Sequence, residues 1–151
     1  NKEVNVPMLD NKVQSQVRNA LAGMTGSVKM IVFTQSSNEL ECEMCVETKS
    51  LIEEIAPLAP AGKLSVEVYD FVEDKAAVET YKVDKIPALV LAGEKDYGIR
   101  FYGIPSGYEF SSLMDDILTL SKGDSGLASA TRAAVAQINK PIHIQVYVTP
   151  T

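Results

Sequence analysis

The stretch VKMIVFTQSSNELECEMCVETK, Val28 to Lys49, decides how this chain is read. It opens with VKMIVFT, Val28–Thr34, a β-branched and mostly apolar run with the composition of a strand buried on both faces. A polar loop, Gln35 to Glu41, leads to Cys42 and Cys45, the two cysteines of the 151 residues. A helix is predicted from Cys42, with Cys45, Val46, Ile52, Ile55 and Ala56 facing inward and an end near Pro57 and Pro60. Positions three apart lie on one helix face, so the two sulfurs can close a disulfide. The first would sit near the helix N-terminus, where unpaired backbone N–H groups and the positive end of the dipole stabilise a thiolate. The second can resolve a mixed disulfide formed by the first. Strand, cysteine turn and helix together make a thiol–disulfide machine.

Composition sets the frame for this reading. The apolar fraction of 46% and the length are those of one soluble globular domain, with room for a fragment of a second. No apolar run approaches the ~18 residues of a membrane span. The net charge of -6 repels a phosphate backbone, and no basic patch is interleaved with aromatics, so neither membrane nor nucleic acid is expected as a partner. Two cysteines do not make the scaffold of a small secreted domain, and one close pair points to redox or metal chemistry. No basic-then-apolar leader opens the sequence, which makes the cytoplasm the expected compartment. Asn1 in place of Met points to a processed or trimmed chain.

Working outward, Asp10 to Met24 reads as a capped helix with Val13, Val17, Ala20, Leu21 and Met24 on one face, stopped by Gly23 and Gly26. LSVEVYD, Leu64–Asp70, alternates as a strand, and Glu73 to Val83 reads as a helix. A third strand, ALVLA, follows Ile86-Pro87. A fourth, Gly98 to Ile104, leads to a helix that ends near Ser121. The order is α-β-α-β-α-β-β-α, with crossovers short enough for βαβ geometry. KGDSG, Lys122–Gly126, is a linker. A helix from Leu127 to Asn139 and a strand, IHIQVYVT, then repeat the opening of the chain. At an offset of about 115 residues Ile31, Val32, Phe33 and Thr34 meet Val146, Tyr147, Val148 and Thr149, the mark of a duplicated unit. The expected division is therefore residues 1–124 as the Cys-x-x-Cys unit and 125–151 as the helix and strand that begin a second. The tail strand, Ile142–Val148, is apolar and lacks a partner, so it is expected to dock on this unit or to self-associate with another chain.

Pro87 completes the site on paper. An Ile-Pro step entering a strand about forty residues after a Cys-x-x-Cys is where a cis proline sets open backbone groups beside the sulfurs, although cis bonds are only ~5% of X-Pro bonds. This combination, with Lys85-Ile86-Pro87-Ala88, resembles the thioredoxin superfamily. The succession KMIVFT, CEMC, LSVEVYDF, YKVDKIPALVL, YGIRFYGIPSGYEF and IQVYVTPT is similar to the N-terminal half of the glutaredoxin-like protein disulfide oxidoreductases, tandem proteins with two thioredoxin-fold units. The likeness runs over nearly the whole chain and is most specific in RFYGIPSGYEF, Arg100–Phe110. It implies an α/β thioredoxin-like fold, a mixed central sheet flanked by helices, and the start of a second such unit with its own Cys-x-x-Cys after Thr151. It implies disulfide exchange with protein thiol and disulfide substrates. Cys42 would attack, Cys45 would resolve, and Ile86 and Pro87 would bind the substrate backbone. Three departures stand out. The loop before Cys42 is long, Tyr108 occupies a position where many relatives carry histidine, and VKMIVFT has no mid-strand carboxylate as proton acceptor. Glu67 or Asp70 on the next strand is a weak substitute.

Other readings of the same residues remain. Exchange carries electrons as thiols and needs no organic cofactor. Zinc would need four ligands, and with His143 this chain offers three, so neither a metal nor an iron–sulfur cluster is expected without a second chain. His143 and the tyrosines Tyr97, Tyr102 and Tyr108 read more simply as packing residues, and Asp115-Asp116 as a solvated helix face. Two further functions compete with direct exchange: an electron-relay domain for a peroxiredoxin system, like the N-terminus of the alkyl hydroperoxide reductase flavoprotein, and a binding module with an idle disulfide. Glu39, Glu41 and Glu43 raise the Cys42 pKa and oppose the helix terminus, in part screened by solvent. Titration of the thiolate absorbance is expected to find Cys42 no more acidic than about neutral, as in a sluggish, reducing site. A pKa well below neutral would contradict that.

Overall fold

The structure is a computed structural model and describes residues 7–36 and 40–149. Among the described residues nine α-helices and strands follow one another: α1 (Asn11–Leu21), β1 (Val28–Thr34), α2 (Cys45–Ile55), β2 (Leu64–Asp70), α3 (Lys75–Tyr81), β3 (Ala88–Ala92), β4 (Asp96–Tyr102), α4 (Tyr108–Lys122) and α5 (Ser129–Ala136). The strands form one mixed sheet in the order β2-β1-β3-β4. β1 runs parallel to β2, while β1–β3 and β3–β4 are antiparallel. This is the expected α/β architecture.

β1 is central because both of its faces are apolar. Met30 and Val32 pack into a core with Val17 and Leu21 of α1, Leu51, Ile52 and Ile55 of α2, and Leu113 and Ile117 of α4. Ile31 and Phe33 point the other way, into a smaller core with Ala88, Val90, Val83 and the α3 side chains Ala77, Val78 and Tyr81. The Phe33 ring stacks on Tyr69 with centroids 5.6 Å apart. Side chains alternate along a strand, so one residue of slip would exchange the two cores, and this pins the register.

Several boundaries differ from expectation. Asp10 does cap α1, accepting a hydrogen bond from the Val13 N–H at 2.8 Å. The α2 helix begins at Cys45 and not at Cys42, which lies in the turn before it. Val46, expected inward, is 73% exposed, because it stands about 100° around the helix from the buried Cys45. Its last turn is a 3-10 turn, Ala56–Leu58, since Pro57 brings no N–H to continue the helix. α3 spans Lys75–Tyr81, shorter at both ends than expected, with Lys82 left-handed at its C-cap. The fourth strand starts at Asp96, and α4 runs one residue into the proposed linker before Gly123 caps it.

Beyond α4 the helix is Ser129–Ala136, shorter than the run Leu127 to Asn139. Residues 141–149 form no strand, because a ladder needs a neighbour and no strand of the sheet pairs with this run. Every residue from Lys122 to Thr149 is exposed, so the tail, His143 included, adds nothing to the buried core of this unit. The last two residues, 150 and 151, lie outside the described residues.

The two ends of the folded unit are stapled at the N-terminal end of β1. The Ser121 hydroxyl accepts from the N–H groups of Thr25 (2.8 Å) and Gly26 (3.0 Å) and donates to the Gly26 carbonyl (2.8 Å). A Cβ on Gly26 would lie 2.6 Å from the Ser121 carbonyl oxygen, closer than real contacts allow. Gly26→Ala is therefore expected to destabilise the fold by about 1–3 kcal/mol, the usual cost of overpacking a tight contact. Thermal or denaturant unfolding measures this, and an unchanged midpoint would show that the staple yields freely.

Candidate functional site

The sheet brings the chemistry-bearing residues to the C-terminal end of β1. Cys42 and Cys45 are joined there as a disulfide, with Cα atoms 5.5 Å apart. Their environments differ. Cys42 is half-buried in the turn, whereas Cys45 is the first residue of α2 and 2% exposed. The inward stripe of α2 is Cys45, Thr48, Leu51, Ile52 and Ile55, a spacing of three and four residues that sets the deeper sulfur against the sheet. Met44 precedes the helix and makes no side-chain cap, so the first turn keeps unpaired N–H groups beside the pair. Glu41 and Glu43 flank Cys42 and are exposed, while Glu39 lies outside the described residues.

Pro87 comes to the same end by register. Ala88 pairs with Phe33 in the antiparallel β1–β3 ladder, which sets Pro87 level with Thr34, the last residue of β1. The Ile86–Pro87 bond is cis, as the sequence argument expected. The Pro87 carbonyl accepts from the Gly103 N–H at 2.9 Å. Among the described residues no hydrogen bond engages the backbone of Ile86. Tyr102 pairs with Ala88 across β3–β4, with the Lys85 ammonium 4.9 Å from its ring centre. Apolar side chains are exposed around this end, including Leu40, Met44, Val46 and Tyr108, the last 84% exposed.

The two carboxylates considered as proton acceptors are placed differently. Glu67 lies on the α3 side of β2, the face opposite α2, and its carboxylate meets the Lys29 ammonium at 2.6 Å and the Tyr69 hydroxyl at 3.2 Å. The Lys29 hydrogen bond holds its carboxyl below the usual range. The structure does not bring Glu67 to the cysteines, because strand alternation turns it away. Asp70 does lie at the site end, lining a groove with Thr34, Ser36, Val46, Lys49 and Ser50. Its oxygens are already taken: they accept from the Ser36 hydroxyl and the N–H groups of Ser36, Val72 and Glu73. Those bonds, the Ser36 hydroxyl foremost, hold the Asp70 carboxyl well below the usual carboxylate range. It ties the loop after β1 to the turn after β2 and stays ionised. Thr48 is the residue that sequence reasoning missed: a hydroxyl on an otherwise apolar helix stripe was the available signal. Among the described residues no group of three or more His, Cys, Asp or Glu gathers to hold a metal ion, and no helix is long and apolar enough to cross a membrane.

No protein-family model matches the sequence, and no curated protein matches it significantly. Among solved structures the chain is similar to a protein disulfide oxidoreductase from Aeropyrum pernix, at 30% identity and a TM-score of 0.75, over 87% of this chain and 56% of that one. It is also similar to the alkylhydroperoxide reductase AhpF from Enterococcus faecalis, at 25% identity and a TM-score of 0.74, over 87% of this chain and 62% of that one. A structure of the N-terminal domain of that reductase, at 24% identity and a TM-score of 0.68, shares the fold. The chain spans little more than half the length of these proteins. It has the thioredoxin-like fold, with a Cys-x-x-Cys disulfide at the end of the central strand.

The depressed Asp70 carboxyl fixes the sign of a pH effect. Its ionised form is favoured by folding, so its stabilisation is complete above the unfolded value near 4 and declines only as pH falls below it. Asp70→Asn is expected to lower the unfolding midpoint at neutral pH, with the gap to wild type narrowing under acid. A gap that stays constant from neutral pH into strong acid would mean that the carboxylate charge contributes nothing.

Proposed function

From a thioredoxin-fold unit similar to those of tandem protein disulfide oxidoreductases, we propose thiol–disulfide exchange with protein substrates. The observation that carries this reading is the asymmetry of the pair: the half-buried Cys42 is the sulfur a substrate can reach, and the buried Cys45 stands behind it. In the reducing direction the Cys42 thiolate attacks a substrate disulfide, forming a mixed disulfide and releasing one substrate thiolate. Cys45, after losing its proton, attacks the Cys42 sulfur. The second substrate thiolate leaves, and the Cys42–Cys45 bond is restored. An external dithiol then returns the pair to its thiols.

Ile86 and Pro87 supply the docking edge in this reading. An extended peptide laid beside the cysteines would use the open Ile86 N–H and carbonyl, in the manner of a strand added to a sheet edge. The exposed Met44, Val46 and Tyr108 offer it apolar contact without selecting one sequence. The likeness to the alkylhydroperoxide reductase AhpF supports a second reading, in which the unit passes electrons to a partner protein of a peroxide-reducing system. A peroxidase-coupled assay separates that from general exchange.

Insulin reduction by dithiothreitol tests the proposal. Wild-type chain is expected to accelerate it, and Cys42→Ser to return it to the rate with dithiothreitol alone. Cys45→Ser is expected to accumulate a mixed disulfide through Cys42. A wild-type chain that fails to accelerate the reaction, with its disulfide intact, would instead identify a binding module.

A further inference from the structure

Thr48 holds the one buried side-chain nitrogen or oxygen among the described residues that lacks a hydrogen-bond partner. The residue is 0% exposed and follows Cys45 by three positions on the inward stripe of α2. Side chains three apart on a helix are neighbours, with Cβ atoms ~5–6 Å apart. A buried hydroxyl without a partner is unfavourable, and a valine of the same shape would fill the position without that cost. The orphan exists in the disulfide form, where the Cys45 sulfur is bonded to Cys42.

Opening the disulfide changes what the neighbour needs. Reduction by an external dithiol breaks the Cys42–Cys45 bond. Two electrons and two protons pass to the pair, and the dithiol departs as a disulfide. Cys45 then holds a thiol, or a thiolate when it acts, at a buried place at the head of the inward stripe that continues through Thr48 to Leu51, Ile52 and Ile55. A buried sulfur carrying charge requires a donor.

We propose that the Thr48 hydroxyl is that donor: the buried, unpartnered Oγ1 three residues along the stripe bonds to the Cys45 sulfur in the dithiol form. This rests on the exchange reading above. Thr48 touches no substrate and acts through Cys45, so it is a positioning residue. It disfavours the disulfide, where its hydroxyl is orphaned, and favours the dithiol, where it is paired. Both effects push the redox equilibrium the same way.

The test is the equilibrium of the whole chain with reduced and oxidised dithiothreitol, for wild type, Thr48→Val, Thr48→Ala and Thr48→Ser. Loss of one buried hydrogen bond is expected to move the equilibrium of the valine and alanine variants toward the disulfide by about tenfold, ~30 mV more reducing. Thr48→Ser, which keeps the hydroxyl, is expected to remain near wild type. Unfolding of both redox forms controls for packing, since a purely structural role would shift oxidised and reduced stability alike and leave the potential in place. Equal constants in wild type and Thr48→Val, or a serine variant displaced as far as valine, overturn the role of Thr48 while leaving exchange standing. A disulfide that dithiothreitol cannot open in any native variant overturns exchange itself, and this inference with it.

Discussion

Everything at the cysteine end depends on the two-sided burial of β1. A strand with one solvated face tolerates some sliding, but here Met30 and Val32 fill one core while Ile31 and Phe33 fill another. The parallel ladder to β2 and the antiparallel ladder to β3 are therefore both locked to a single frame. One end of that frame receives the turn with Cys42, the start of α2, the Asp70 loop tie and the Ile86–Pro87 step. These residues come from distant parts of the chain. Their proximity follows from strand pairing and owes little to local sequence.

The same frame separates accessible chemistry from buried chemistry. Cys42 leaves the sheet in a turn, and Cys45 starts the helix that returns over the sheet. The reachable sulfur and the hidden one are thus set by the position of the helix boundary. Asp70 contributes by holding the loop after β1 against the turn after β2. A carboxylate that spends its oxygens on four donors is a structural anchor.

Much of this was legible in the sequence. The run VKMIVFT has β-branched and apolar side chains at consecutive positions, which only a strand covered on both faces needs. The Cys-x-x-Cys spacing and the Ile-Pro step before ALVLA pointed to a disulfide and a cis bond, and both are present at one end of β1, because each has a specific local geometry. Side-chain direction was less accessible. Glu67 and Asp70 look equivalent on a strand, three residues apart, yet alternation sends them to opposite faces, and only the pairing partner tells which face carries α2. Val46 directly follows a buried residue, and helical rotation carries it outward against the inward reading. The tail IHIQVYV has strand composition, but composition cannot supply the neighbouring edge that a ladder requires. Thr48 shows in the sequence only as one hydroxyl on an apolar stripe; its meaning comes from burial and a missing partner.

The Ser121 staple closes the unit at the end opposite the sulfurs. Seven residues of β1 separate the two, roughly 20 Å at a strand's rise per residue. Polypeptide that continues past Gly123 leaves from that far pole, anchored by Ser121 before it departs. A fluorophore or an affinity handle attached just after Gly123 would therefore start from the pole opposite the cysteine pair, so the exit of α4 offers a place of attachment remote from the two sulfurs.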